Sequence, residues 1–222
     1  MGADQKRVGV VLSGCGFLDG AEIHEATLTL LALDRRGSRI VVMAPDHDQM
    51  HVVDHAHRKP ADGERRNVLR ESARIARGEI VDIARVKAAD LDALIFPGGY
   101  GAAKNLCTFA VDGAKLKVDA DVERLIKEMR AANKPMGFIC IAPVIAAKVL
   151  GDLHPTLTIG NDRETAQAVE ALGARHADRT VEDIVVDDKL KIVTTPAYML
   201  GPTIAKVSVG IDKLVSAVLE MA

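Results

Sequence analysis

Met136-Gly137-Phe138-Ile139-Cys140-Ile141-Ala142-Pro143 decides the fold. Four residues with no charged side chain read as a strand covered on both faces, and Cys140 stands where that strand turns sharply into a helix over 141–150. The same pattern recurs upstream. Ala93 to Phe96 is a buried run ending in Pro97-Gly98-Gly99-Tyr100-Gly101, and Val8 to Leu12 ends in Ser13-Gly14-Cys15-Gly16 before a helical pattern begins near Gly20.

Outward from these three junctions, Ile40 to Ala44 reads as a further strand and 46–64 as a long polar excursion. Helices are expected over 67–77, 118–132, 164–172 and 202–221, and strands over 157–159, 184–186 and 191–195. Strands alternating with helices give an α/β fold, a mostly parallel sheet covered on both sides, in one domain spanning 1–222. Such sheets bind ligands outside the carboxyl ends of their strands, which directs attention to Cys15, Gly98-Gly99 and Cys140.

Composition narrows the function. The 222 residues carry a formal charge of -2, with no Trp, two Tyr and four Phe. Neither a field for a polyanion nor aromatic platforms for bases is present, so nucleic acid is not an expected partner. The strongly apolar run from Phe138 to Ala147 is broken by Pro143 and is too short to span a bilayer, so no membrane is expected either. The first residues do not read as a signal peptide, and Met1-Gly2 lacks the Ser or Thr of an acylation start because Lys6 stands there. Three cysteines at wide spacing argue against a disulfide framework, from which a reducing cytoplasm is expected.

Chemistry concentrates at the strand ends. Cys140, between a strand and a helix, has the placement of a nucleophile elbow, where a helix N-terminus favours the thiolate; a packed, inert cysteine is the other reading. Gly98 and Gly99 let backbone amides approach a ligand, so this loop and Ile141 are candidate oxyanion donors. The loop has no GxGxxG spacing. Glu22, His24 and Glu25 begin the first helix, either as complements to its dipole or, for Glu25, as an acid reaching Cys140 to donate a hydrogen bond to its thiolate. His154, fourteen residues beyond the elbow, is a further candidate lining residue, as is Cys15. His47, His51 and His55 would share one face only on a helix, and the excursion reads as a solvated loop with no metal site.

These residues carry a resemblance. SGCGFLDGAEIHEA at 13–26, RNVLRESARIARGEI at 66–80, PGGYGAAKNL at 97–106, GFICIAP at 137–143, DIVVDDKLKIVTTPAYML at 183–200 and GIDKLV at 210–215 resemble the ThiJ/PfpI superfamily of class I glutamine amidotransferase-like proteins. Within it they resemble the enhancing lycopene biosynthesis protein 2 (ElbB) group. The resemblance implies a flavodoxin-like α/β/α sandwich, usually a homodimer, with Cys140 as nucleophile, Glu25 as its glutamate partner and Gly99 in the oxyanion hole. It departs from the glutaminases of that fold where they carry His-x-Glu after the last strand. This chain reads Thr195-Pro196-Ala197-Tyr198 there, which disfavours ammonia release from glutamine.

The activity implied is a glutathione-independent, cofactor-free glyoxalase, converting glyoxal or methylglyoxal, both 2-oxoaldehydes, to a 2-hydroxy acid through Cys140 and Glu25, with a family association with isoprenoid biosynthesis. The competing reading is a non-catalytic redox or metabolite-sensing protein with a reactive cysteine.

Overall fold

The computed structural model describes residues 5–222; Met1-Gly2, read above for acylation, lie outside them. In chain order the elements are β1 (Arg7–Val11), α1 (Ile23–Arg35), β2 (Arg39–Ala44), β3 (Val53–Asp54), β4 (Lys59–Pro60), α2 (Val68–Ile75), β5 (Val81–Asp82) and β6 (Ala93–Phe96). They continue through α3 (Tyr100–Lys104), α4 (Phe109–Asp112), α5 (Ala120–Ala131), β7 (Met136–Ile139), α6 (Pro143–Leu150) and β8 (Thr156–Leu157). The last are α7 (Arg163–Ala171), β9 (Arg175–His176), β10 (Val185–Asp187), β11 (Ile192–Thr195) and α8 (Ile204–Met221).

Seven strands form the central sheet in the order β10-β11-β7-β6-β1-β2-β5, and only the β10–β11 pairing is antiparallel. The chain winds outward from β1 through β2 to β5, then returns to the other side of β1 with β6. That reversal opens a crevice at the carboxyl ends of the central strands, the place where open α/β sheets bind ligands.

Burial explains the strand composition. Every residue of β6, β7 and β11 is buried, because helices cover both faces of the sheet. On one face Val122, Leu125, Ile126 and Met129 of α5 join Val144, Ile145 and Leu150 of α6 in a single apolar cluster. On the other, Ala26 and Leu33 of α1 meet Val207, Ile211, Leu214 and Val218 of α8. Phe96 and Phe138, on neighbouring strands, stack with ring centroids 4.8 Å apart and an interplanar angle of 2°. Both are fully buried just before the two loops of chemical interest.

The helices start where side chains satisfy their first amides. Asn67, Asp119, Asp162 and Thr203 cap α2, α5, α7 and α8, each accepting from an amide two or three residues ahead.

The excursion at 46–64 departs from the expected plain loop, since it contains the β3–β4 hairpin. No helix forms there to align the histidines. His47 faces Asp119, His55 faces Asp19 and His57 binds Asp54, so the spacing of these residues in sequence does not gather them in space.

The stacked pair supports the floor of the crevice. Phe138→Ala should lower unfolding free energy by about 3–5 kcal/mol, read as a reduced urea midpoint at unchanged slope. A loss below about 1 kcal/mol would mean that this layer tolerates a void.

Candidate functional site

Cys140 ends β7 in the left-handed region, with φ of 62°. A side chain other than glycine rarely adopts this conformation, and here the β7 and β11 ladders enforce it: the Cys140 amide donates to Thr195 O at 2.9 Å. The turn aims Sγ away from the sheet edge, the geometry of a nucleophile elbow. Only 7% of the residue is exposed, and that part opens into a cavity of about 410 Å³.

Glu25 is fully buried and meets the thiol from α1. Its Oε2 accepts from the Gly98 amide at 2.8 Å and its Oε1 from the Tyr198 amide at 3.2 Å, and the carboxyl is hydrogen-bonded to the Cys140 side chain. Burial, assisted by the charge of nearby Glu22, pushes the Glu25 carboxyl up to about 8, against the pull of those donors. Glu22 itself caps α1, its Oε2 accepting from the Glu25 amide at 2.7 Å.

The expectation that a helix N-terminus lowers the thiol is corrected. Burial and then the Glu25 carboxylate raise Cys140 well above an ordinary thiol, and the Gly99 and Ile141 amides that hydrogen-bond the sulfur only partly offset them. The thiol and the Glu25 carboxyl share a hydrogen bond, and the carboxyl keeps its proton up to about pH 8.

The glycine loop is committed to this arrangement. Gly98 sits so close that a Cβ there would lie 2.5 Å from Cys140 Cβ and 2.8 Å from Glu25 Oε2. Gly99, at φ of 93°, lies against the Glu22 amide and the Gly20 carbonyl, where no side chain fits. The Gly98 N–H is turned to Glu25 and the Gly99 N–H to the sulfur. Among the described residues no group of three or more His, Cys, Asp or Glu is gathered as metal ligands, and no helix is long and apolar enough to cross a membrane.

Three expected lining residues lie elsewhere or play another part. His154 is at the far end of α6, where its Nδ1 is 2.8 Å from Gly173 O; an eight-residue helix carries the chain roughly 12 Å from the elbow. Cys15 lies outside the cavity, half-buried near Glu71, Arg74, Asp19 and Arg66. His24 does not line the cavity either, but its Nδ1 is 2.8 Å from the Tyr198 hydroxyl.

Tyr198 is the residue that the sequence reading passed over. It follows β11 in the turn Ala197–Met199, holds Glu25 through its amide and lines the cavity with its side chain. In the sequence its position stands out only as the place where the His-x-Glu pair is missing.

Known proteins place the chain. A protein from Homo sapiens, glutamine amidotransferase-like class 1 domain-containing protein 3, mitochondrial, is 52% identical over 97% of this chain and 83% of its own length. The chain belongs to the class 1 glutamine amidotransferase-like domain proteins. A solved structure titled an isoprenoid biosynthesis protein with amidotransferase-like domain, from Ehrlichia chaffeensis, is 35% identical with a TM-score of 0.90, covering 97% of this chain and 100% of that one. A ThiJ/PfpI domain protein from Brachyspira murdochii, 16% identical with a TM-score of 0.59 over 99% of this chain and 97% of its own, shares the fold. No protein-family model matches the chain.

The expected cytoplasmic location is overturned by these relatives. The Homo sapiens protein is named mitochondrial, as are ES1 proteins from Rattus norvegicus and Danio rerio that are 51% and 40% identical. Free cysteines fit any reducing compartment and do not single out the cytoplasm.

The buried carboxyl has a consequence for stability. Native protein keeps the Glu25 proton after the unfolded chain releases it near pH 4, so stability falls as pH rises from there through about 8. Glu25→Gln should flatten this decline, measured as urea midpoints at about pH 5 and pH 9. An equal decline in both proteins would remove Glu25 as its source.

Proposed function

We propose that the chain is a glyoxalase needing neither glutathione nor a cofactor, acting on glyoxal or methylglyoxal. The observation that carries this reading is a buried carboxyl in hydrogen-bond contact with a thiol that two backbone amides also face. In the ionised form Glu25 takes the proton of Cys140 as the sulfur adds to the aldehyde carbon, and the carbonyl electron pair moves onto oxygen at the Gly99 and Ile141 amides. Glu25 returns its proton to that oxygen, giving a hemithioacetal.

The carboxylate then removes the hydrogen from the same carbon and delivers it to the adjacent carbon by way of an enediol, while the proton of the first hydroxyl passes to the second carbonyl oxygen. The product is a thioester on Cys140, which water cleaves to lactate from methylglyoxal or glycolate from glyoxal, regenerating the thiol. Oxidation of one carbon balances reduction of its neighbour, so no external oxidant or reductant enters. The Tyr198 hydroxyl, steadied by His24, supplies a donor for the second carbonyl oxygen. A carboxyl pushed to about 8 suits a group that must both accept and give a proton near neutrality.

A homodimer belongs to the same proposal, and light scattering at micromolar concentration tests it. The link to isoprenoid production stands in the name of the Ehrlichia protein; it is carried here as an association, with no isoprenoid step assigned to the site.

The competing reading, a metabolite or redox sensor that is modified without turnover, calls for an accessible thiol of lowered pKa, whereas Cys140 is buried and raised. A chain that labels at Cys140 but turns over no 2-oxoaldehyde would establish it.

Glu25→Gln should reduce lactate formation by about 10²- to 10⁴-fold with circular dichroism unchanged, and Cys140→Ser at least as far. Near-wild-type rates in either variant would exclude the mechanism. Because the active base is the ionised carboxylate, kcat/KM should rise with pH through about 8. Glu22→Gln removes the neighbouring charge that lifts this carboxyl and should move the rising limb to lower pH; an unmoved limb would detach it from Glu25.

A further inference from the structure

The cavity in front of Cys140 is large for methylglyoxal. At about 410 Å³ it lies in the range of roughly 300–1,000 Å³ typical of sites for much bulkier ligands. Its wall is largely apolar, with Phe17, Tyr100, Phe109, Ile141 and Met199 around the thiol. Among the described residues its one acidic lining residue is Glu22, and no lysine or arginine lines it. Lys104 stands nearby with Nζ 5.3 Å from the Tyr100 ring centroid, but it is turned to the Leu18 carbonyl at 2.9 Å.

We infer that the cavity selects uncharged carbonyl compounds bearing a bulky apolar substituent, aryl or branched alkyl, and rejects anionic ones such as phosphorylated or carboxylated aldehydes. An aryl or branched alkyl group buries against the aromatic and methionine side chains and displaces water from the wall. A phosphate or carboxylate finds no cation to replace its lost hydration and meets the like charge of Glu22. This inference rests on the reading of Cys140 as the reacting group, but not on the later proton transfers, so the two can fail separately.

The test measures alkylation of Cys140 by 2-chloroacetophenone, iodoacetamide and iodoacetate, mapped by mass spectrometry and divided by each reagent's rate with free N-acetylcysteine. Normalised rates should favour the aryl reagent over iodoacetamide by about tenfold and disfavour iodoacetate by about tenfold. Glu22→Gln should raise the iodoacetate rate several-fold and leave the aryl preference. Ala110→Trp, which fills part of the cavity, should abolish the aryl preference and spare the charge discrimination.

The same preparations are assayed with phenylglyoxal and methylglyoxal, where kcat/KM should favour phenylglyoxal. Equal normalised rates for the three reagents, or preference for iodoacetate, would overturn the inference. If labelling shows the expected order while no 2-oxoaldehyde is turned over, the cavity's selectivity stands and the glyoxalase reading fails.

Discussion

A single carboxyl side chain ties the reactive end of this molecule together. Glu25 projects from α1 into a fully buried position and is held there by amides from two loops, Gly98 after β6 and Tyr198 after β11, while touching Cys140 after β7. Four segments remote in sequence thus converge on two oxygen atoms. Burying a carboxyl is costly unless its hydrogen bonds are made, and these donors offset part of that cost. The loops in turn hold the positions they do because the carboxyl needs them, so structure and reactivity share one set of contacts.

The close fit of glycine around this carboxyl follows. Gly98 must let Cys140 and Glu25 approach within one residue's width, and Gly99 must turn back over the Glu22 amide. The left-handed Cys140 completes the arrangement at a local conformational cost that the ladder bonds of β7 and β11 sustain. Strain, burial and a displaced proton affinity occur at one point. This is common where a fold gives up stability for chemistry.

The sequence disclosed the parts of the fold that announce themselves locally. β6 and β7 are uninterrupted buried runs, and their boundaries fall where the residues place them. β5 and β9 are two residues long each, too short for any periodicity, and exist only because a neighbouring strand or loop lies alongside. The site divides in the same way. Cys140 and the glycine loop are visible as strand-end punctuation, and Glu25 became specific through family resemblance. Tyr198 was not legible, because a backbone amide acting 173 residues away leaves no mark on side-chain type. His154 is near the elbow along the chain but not in space, because α6 points away from the elbow.

The sheet's two borders bear on how the molecule keeps company. One side ends in β10, three residues long, and the other in β5, only two. Exposed backbone at such borders offers an incoming strand hardly any ladder to extend, so addition of a foreign strand is discouraged at both. The rows of amides inside the sheet stay out of reach of intermolecular pairing, a safeguard against fibrous assembly.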